Sequence, residues 1–341
     1  MADASTATGV LQYRRRFNPE PLTQVSPSST YVWNEDVILA VNVALVTERA
    51  LLIRGEPGIG KTSVAEAAAA ALGWRFYRHT VTSRTEARDI LWRFDAVRRL
   101  ADAQARRELD DYHYIEPREL WWALNREEAL RRGRPADSQE PPALEPLADV
   151  NATRSPTGAV VLLDEIDKAD PAVANDLLET FSAYRFRVDS VAQPFEVTRA
   201  THSAGSEPSG LLIVVTTNEE RDLPEAFLRR CIVHHMQWPS DTSLPAYADF
   251  RTLVQQIAQA HWPHFAAELW GDAAVGVVGA LLDRIEEERQ QAQTEERRPP
   301  GLAELLDALR TTQTFGITVD DTVWSHIARL VWRKAPENAG A

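Results

Sequence analysis

The chain has 341 residues, a formal net charge of −13, 44% hydrophobic residues and a single cysteine, Cys231. This length suits more than one domain, the composition is that of a globular protein, and no stretch reaches the roughly 20 apolar residues that span a bilayer. The negative charge argues against nucleic-acid binding. One cysteine excludes an internal disulfide and a cysteine-based zinc cluster, so we expect a cytoplasmic protein. The lack of a long apolar run leads us to expect no membrane partner.

The first part of the chain alternates predicted helices and strands. Residues 1–29 are polar with scattered prolines, and we expect a flexible N-terminal arm. A predicted helix over 34–48 begins at Asn34, a residue type that suits the N-cap position. The apolar run 50–53 predicts a buried strand, and the alternating aromatic run 74–81 predicts a second one.

The middle of the chain continues this alternation. Residues 84–130 are predicted to be mostly helical, and the proline-rich stretch 131–158 to be a flexible surface insertion. The fully apolar runs 159–163 and 211–215 are typical of central parallel strands that are buried on both faces. Residues 232–236 predict one more strand, and strands that alternate with helices imply a parallel α/β sheet.

Beyond Pro239 the pattern changes to helical spacing without a good strand. Apolar residues recur at this spacing in four segments, 247–260, 273–288, 302–311 and 319–333. We therefore predict four parts: an arm at 1–29, an α/β domain at 30–239, a smaller all-helical domain at 240–335 and a tail at 336–341.

The segment between the first predicted strand and the next helix matches the phosphate-binding pattern G-x-x-x-x-G-K-[ST] in full. Its glycines let backbone N–H groups curl around phosphate oxygens, and the helix N-terminus adds the positive end of a dipole. We expect Lys61 to reach the β- and γ-phosphates and Thr62 to place its hydroxyl on Mg²⁺. The predicted phosphate-binding residues are Gly55, Pro57, Gly58, Ile59, Gly60, Lys61, Thr62 and Ser63.

Two carboxylates follow the apolar run 159–163, at the strand edge where open α/β sheets bind their ligands. Asp164 is suited to hold the Mg²⁺ shell, and Glu165 to act as general base toward the attacking water. Asn218 follows the next apolar run. Its amide is suited to orient the water or to contact the γ-phosphate, although asparagine is also frequent in ordinary turns.

Two arginines, Arg229 and Arg230, follow the helix-like segment 223–228. An arginine at this point is suited to project into the nucleotide of a neighbouring subunit and to neutralise charge in the transition state. The alternative is an arginine pair that binds the carbonyl groups at a helix end.

In this order along the chain, these elements resemble an AAA+ ATPase, most closely the MoxR-like, dynein-related branch, over residues 30–335. The run Leu223-Pro224-Glu225-Ala226 before the two arginines points to the branch, and the segments 184–189 and 195–197 resemble the hairpin that it inserts. The resemblance implies a P-loop parallel-sheet ATPase core followed by a small all-helical lid domain. It also implies Mg²⁺ and ATP bound at each subunit boundary of a ring, usually a hexamer.

The resemblance assigns roles to single residues. Asn218 would be the sensor-1 residue, and Arg229 or Arg230 the arginine finger. Ala303 stands about where the lid normally offers an arginine, so either Arg297 or Arg298 replaces that arginine or the lid is coupled more weakly to the γ-phosphate. Family members commonly remodel or activate a client protein, often together with a von Willebrand factor A-domain partner.

Two other functions remain open from the residues. One is a low-turnover, ATP-dependent switch or scaffold that recruits an effector, which the departure at Ala303 favours. The other is a nucleic-acid motor or a McrB-like GTPase. The net charge argues against a motor, and no Asn/Thr-Lys-x-Asp motif for guanine is present, although McrB-like enzymes also lack that motif.

Overall fold

The computed structural model describes residues 31–201, 209–239, 245–261, 271–317 and 319–333. The chain divides into two compact units. Of the described residues, the first unit contains 35–52 and 68–234, and the second contains 31–34, 53–67 and those from 235 to 333.

A central sheet of five strands carries the α/β part of the chain. Its strands are β1 (Ala50–Gly55), β2 (Trp74–Thr80), β5 (Ser155–Asp164), β8 (Gly210–Thr217) and β9 (Cys231–Met236). Their spatial order is β2-β5-β8-β1-β9. Each of the five predicted strands is therefore present, and β5 and β8 extend beyond the apolar runs that predicted them.

The pairing within the sheet is parallel where β2 meets β5 and where β5 meets β8. The register of β5 with β8 runs from Gly158 opposite Gly210 to Leu163 opposite Val215. Leu163 and Val215 are fully buried, as expected for strands that are covered on both faces. The predicted parallel α/β sheet is confirmed.

Helices and two hairpins surround the strands of the first unit. The helices are α1 (Glu35–Thr47), α3 (Ala87–Leu91), α4 (Ala96–Gln104), α5 (Glu119–Leu124), α6 (Arg126–Leu130), α7 (Ala148–Asn151), α8 (Pro171–Ala183) and α9 (Glu225–Leu228), and α2 (Lys61–Leu72) follows β1. The hairpins pair β3 (Trp92–Phe94) with β4 (Ile115–Pro117) and β6 (Arg185–Val188) with β7 (Phe195–Thr198).

The two hairpins differ in how well the sequence predicted them. The β6–β7 hairpin lies where the resemblance put it. The β3–β4 hairpin lies inside 84–130, which was predicted to be mostly helical, so that prediction is wrong for this part. β3 and β4 have three residues each, which is too short to show an alternating pattern in the sequence. Each becomes a strand only through its hydrogen bonds with the other, which lies more than 20 residues away along the chain.

The second unit has a helical core of its own. Its helices are α10 (Pro245–His261), α11 (Gly271–Thr294), α12 (Leu302–Phe315) and α13 (Trp324–Ala328), and the π-helical segment Arg329–Arg333 follows. Leu281, Leu282, Ile285 and Leu305 are fully buried in this core. The helix predicted over 319–333 begins only at Trp324. In the described ranges we find no helix whose length and hydropathy would let it span a bilayer.

The segment 131–158, predicted to be a surface insertion outside the core, contributes a buried carboxylate to the first unit. Glu145 accepts hydrogen bonds from Arg75 at 2.6 Å, from the Tyr77 hydroxyl at 2.9 Å and from Arg126 at 2.9 Å. Burial alone would raise the pKa of Glu145, but these hydrogen bonds and the arginine charges hold it below its usual value. Proline content predicted a loop here, and it gave no signal for this packing.

The same segment covers the outer edge of the sheet. β2 is an edge strand, and Asn151, which is fully buried, binds its outward-facing backbone. The Asn151 side chain accepts from the Phe76 N–H at 2.8 Å and donates to the Phe76 carbonyl at 3.1 Å. An uncovered edge invites pairing with other chains, so this amide takes the place of a further strand at Phe76.

We predict that Asn151→Ala lowers the free energy of unfolding by about 2 kcal/mol or more, because it leaves a buried N–H and a buried C=O of Phe76 without partners. The measurement is urea denaturation of the full chain. Asn151→Asp keeps the acceptor for the Phe76 N–H, and Gln139→Ala removes an exposed amide as a control. If Asn151→Ala unfolds at the same urea concentration as Gln139→Ala, the edge-covering role is wrong.

Candidate functional site

The glycine-rich loop joins β1 to α2, and its backbone requires glycine. Gly58 and Gly60 have φ angles of +81° and +99°, in the region that residues with a side chain rarely adopt. A Cβ on Gly55 would lie 2.1 Å from the Met236 carbonyl oxygen. The glycines of the motif are thus explained by the shape of the loop.

Lys61 is the first residue of α2 and is only 5% exposed. Its ammonium donates to the carbonyl oxygens of Gly55 at 2.7 Å and Glu56 at 2.8 Å, so the positive charge lies against the loop. Thr62 and Ser63 follow in the first turn of α2. The N–H groups of that turn form the positive end of the helix dipole and favour an anion there. Pro57 is half-buried and Ile59 is buried in the same loop.

The N-terminus of α12 contacts the phosphate loop. The Ala303 N–H donates to the Gly58 carbonyl at 3.0 Å. The Arg298 guanidinium lies 3.5 Å from the Pro57 carbonyl and 3.4 Å from the Glu304 carboxylate. Ala303, the residue at the expected arginine position, therefore meets the loop through its backbone, and Arg298 is the neighbouring side chain that reaches it.

Arg297, the other predicted replacement for the lid arginine, binds elsewhere. It pairs with Glu288 at 3.0 Å and with Glu295 at 2.5 Å. The hydrogen bonds that Arg297 donates to Glu295 and Glu288 raise the pKa of Arg297. The two arginines therefore differ in the contacts described. Arg298 reaches a carbonyl of the loop, whereas Arg297 binds Glu288 of α11 and Glu295 in the turn after that helix.

An ion pair also holds the loop, and sequence reasoning missed it. Buried Arg289 pairs with Glu56 at 2.9 Å and donates to the Pro300 carbonyl at 2.5 Å. Its guanidinium carbon lies 4.6 Å from the centre of the Trp238 ring. These residues are far apart in the sequence, so no local pattern could have indicated the pair.

Asp164 ends β5 and is 5% exposed. Its Oδ1 accepts from the Thr216 hydroxyl at 2.6 Å, and its Oδ2 accepts from the Arg78 guanidinium at 2.7 Å. Thr216 follows Val215 at the end of the β5–β8 register, beside Asp164. The parallel register therefore places the Thr216 side chain beside Asp164. Aligning the two apolar runs in parallel is the step by which Thr216 could have been predicted from the sequence.

Glu165 is held at several atoms. Its backbone has a left-handed φ of 62°, and its N–H donates to the Thr216 hydroxyl oxygen at 2.9 Å. The carboxylate accepts from the Asn218 amide at 3.1 Å and from the Lys168 ammonium at 2.5 Å. The hydrogen bond that Lys168 donates to Glu165 raises the pKa of Lys168. Hydrogen bonds thus join Asp164, Thr216, Glu165 and Asn218 into one cluster.

Asn218 is fixed through its backbone as well. Buried Asp167 accepts from the Asn218 N–H at 3.1 Å and from the Glu220 N–H at 2.9 Å. This carboxylate holds the turn that follows β8. The amide of Asn218 is therefore presented to Glu165 from a fixed turn.

Arg229 and Arg230 make their hydrogen bonds away from this cluster. Arg229 is 78% exposed in its side chain and pairs with Glu225 at 2.9 Å. Arg230 donates to the Ala226 carbonyl at 3.2 Å, which is the helix-end contact expected in the alternative interpretation. Exposed pairs of this kind contribute little to stability, so Arg229 can leave Glu225 at small cost.

The few carboxylate oxygens at this cluster suit a magnesium ion that is brought by a substrate. In the part of the chain that the structure describes, no group of three or more His, Cys, Asp or Glu side chains is placed to hold a metal ion. Mg²⁺ keeps several waters and is usually bound by one or two carboxylates together with substrate phosphates. The Asp164 carboxylate fits that chemistry.

A family comparison agrees with this geometry. A model of the AAA domain (dynein-related subfamily) matches residues 50–231, more than half of the chain. The matched range contains the phosphate loop, the acidic pair, Asn218 and both arginines. No curated protein matches the chain.

The fold and these motifs define an AAA+ ATPase domain that carries a nucleotide-binding loop. The chain belongs to the dynein-related subfamily of AAA domains. The predicted family and the predicted α/β fold with a following helical region are both confirmed.

We predict that Thr216→Val lowers kcat for ATP hydrolysis about tenfold or more, because the cluster loses one hydroxyl that binds both Asp164 and the Glu165 N–H. The measurement is steady-state phosphate release at saturating Mg·ATP. Thr217→Val is the matched control, since the Thr217 hydroxyl accepts only from Glu219 among the hydrogen bonds described. Equal kcat values for the two variants would contradict the role of Thr216.

Proposed function

We propose that the chain is a ring-forming AAA+ ATPase of MoxR type, which binds and hydrolyses Mg·ATP and remodels or activates a partner protein. The observation that carries the proposal is the carboxylate of Glu165, held by Asn218 and Lys168 directly after the Asp164 strand end. The family match supports ATP as the nucleotide. A hexamer, a von Willebrand factor A-domain partner and a cytoplasmic location are parts of the proposal that rest on the family resemblance and on cysteine content.

The phosphate loop supplies the binding half of this function. The backbone N–H groups of the loop and of the first turn of α2 would surround the phosphates, and the Lys61 ammonium would exchange the carbonyls of Gly55 and Glu56 for phosphate oxygens. By the family resemblance, the Thr62 hydroxyl and the Asp164 carboxylate would each offer an oxygen to the Mg²⁺ that comes with ATP, and this ion would supply charge neutralisation at the β- and γ-phosphates.

The strand-end cluster supplies the hydrolytic half. Each carboxylate oxygen has two lone pairs, so Glu165 can accept from Asn218 or Lys168 and still accept a proton from water. Glu165 acts as the general base, and Asn218 keeps its carboxylate oriented. Arg229 or Arg230 of one subunit neutralises charge at the nucleotide of the next, a contribution of about 10³–10⁵ in rate for arginine fingers.

We predict that Glu165→Gln binds Mg·ATP but hydrolyses it about 100-fold more slowly or worse, because the amide cannot accept the proton. Lys61→Ala loses binding instead. Fluorescent-nucleotide binding and phosphate release measure the two steps, and Glu220→Gln, an exposed neighbouring carboxyl, is the control. Normal turnover by Glu165→Gln would remove Glu165 from the role of base.

We also propose that Arg298 replaces the missing lid arginine. The support is its position 3.5 Å from the Pro57 carbonyl, next to Ala303 at the N-terminus of α12. Its guanidinium is more than half exposed and can move from Glu304 to a phosphate oxygen. A guanidinium binds phosphate with two parallel hydrogen bonds, which a lysine cannot imitate.

Arg298→Ala is expected to lower kcat about tenfold, the loss of one charged contact in the transition state. Arg298→Lys should recover only part of it. Arg310→Ala removes an exposed arginine from the later turns of α12 and is the control, and phosphate release is the readout. If Arg298→Ala and Arg310→Ala behave alike, the lid of this chain acts without an arginine.

The second candidate is an ATP-dependent switch or scaffold with low turnover. It is favoured by the lack of a charged side chain at Ala303, whose backbone N–H donates to the Gly58 carbonyl of the loop. Mass photometry with and without ATP, together with the ATPase rate, separates the two functions, because a switch assembles with ATP and does not turn it over. A salt-dependent DNA gel shift and competition between ATP and GTP test the nucleic-acid motor and the McrB-like GTPase.

A further inference from the structure

Arg49 lies in the turn between α1 and β1, and its guanidinium binds three consecutive backbone carbonyls. It donates to the carbonyl oxygens of Arg229, of Arg230 at 3.2 Å and of Cys231 at 3.0 Å. Arg49 is half-buried, and the five donors of a guanidinium in a planar fork suit such a multiple contact. The turn is thereby fastened to the segment that carries the two arginines.

The segment that Arg49 binds has little structure of its own to hold it. α9 is four residues long, and Arg229 and Arg230 follow it directly. The three carbonyls that Arg49 binds lie just beyond α9, at its C-cap Arg229, at Arg230 and at Cys231, the first residue of β9. A cation that binds them satisfies these acceptors and fixes the backbone that sets the position of the Arg229 and Arg230 side chains.

The residue before Arg49 binds a different element. Glu48 has a φ of +53°, and its carbonyl accepts from the Tyr184 hydroxyl. Its carboxylate pairs with Arg199 at 3.4 Å. Glu48 and Arg49 therefore face two parts of the first unit from adjacent positions in one turn.

The partners of Glu48 lie at the base of the β6–β7 hairpin. Tyr184 directly precedes β6, and Arg199 directly follows β7. The Arg199 N–H donates to the Tyr184 carbonyl at 3.0 Å, and the Arg199 guanidinium lies 4.9 Å from the centre of the Tyr184 ring. The base of the hairpin is thus closed by the same two residues that bind Glu48.

We propose that Arg49 is a positioning residue for the arginine pair that acts on the neighbouring subunit's ATP, and that Glu48 links the β6–β7 hairpin to it. The inference rests on the proposed function, since Arg229 and Arg230 have a reaction to act on only in a ring. A displacement of the hairpin base moves Glu48 and, because Arg49 is the next residue, it also moves Arg49. The Arg49 guanidinium in turn shifts the carbonyls of 229–231 that it binds. A displacement of about 1 Å at a catalytic group can cost about 100-fold in rate.

The first test is the kinetic effect of Arg49→Ala. We expect kcat to fall about 10- to 100-fold, while KM for ATP stays within about twofold because the loop that binds ATP is intact. Arg49→Lys keeps the positive charge but lacks the planar fork of the guanidinium, so its kcat should lie between those of Arg49→Ala and the wild type. Arg107→Ala removes a guanidinium that binds only a carboxylate among the contacts described, and it should leave kcat unchanged.

A mixing experiment separates positioning from a structural defect at the subunit's own site. Rings that contain both Arg49→Ala subunits and Glu165→Gln subunits should regain turnover. In them, an Arg49→Ala subunit has an intact Glu165 and receives a correctly positioned arginine pair from a neighbouring Glu165→Gln subunit. Rings that combine Arg49→Ala with the double variant Arg229→Ala, Arg230→Ala should not, because both subunits lack the same contribution. Absence of regain in the first mixture overturns the positioning role.

The outcomes distinguish this inference from the proposed function. If the double variant Arg229→Ala, Arg230→Ala loses turnover and Arg49→Ala does not, the inference is wrong and the proposed function stands. If the double variant keeps full turnover, the action between subunits itself is wrong. Should Arg49→Ala fail to fold, Arg49→Lys carries the same mixing test, and a wild-type kcat for Arg49→Lys overturns the inference.

The link to the hairpin has its own test. Tyr184→Phe removes only the hydroxyl that binds the Glu48 carbonyl. We expect a several-fold lower kcat at unchanged KM, and in the double variant with Arg49→Lys an effect smaller than the sum of the two, since both act on one path. Independent, additive effects would contradict the link.

Discussion

The parallel register of β5 and β8 is the constraint on which the candidate site depends. It places Leu163 opposite Val215, so the next residues, Asp164 and Thr216, lie side by side and share a hydrogen bond of 2.6 Å. A shift of one residue would turn each side chain to the other face of the sheet. Such a shift would cost the burial of the apolar residues of both strands, so the hydrophobic core fixes the geometry of the polar cluster.

Backbone conformation adds to this constraint. Glu165 adopts a left-handed conformation, which costs about 1–2 kcal/mol for a residue with a side chain. The Thr216 hydroxyl stabilises it by accepting the Glu165 N–H, and Asn218 and Lys168 hold the carboxylate. A carboxylate that is already oriented needs less reorganisation when a reaction begins, and this is the physical basis for the proposal that Glu165 is the base.

The parts that the sequence predicted well are those with a local signal. The glycine loop, the apolar strands and the acids after β5 each depend on neighbouring residues. The contacts that sequence reasoning missed join distant parts of the chain. Examples are Arg289 with Glu56 and Arg49 with the carbonyls of 229–231. The covering of β2 by Asn151 was missed for the same reason, because composition alone predicted a loop.

One measurement tests the central claim most directly, which is that this chain binds a triphosphate together with its magnesium. It is isothermal titration calorimetry of the purified full-length chain with ATP, once with Mg²⁺ and once with a chelator. The account predicts saturable heat at one nucleotide per chain with Mg²⁺ and weaker binding without it. Folded protein that gives no heat with Mg·ATP at any concentration would contradict the account.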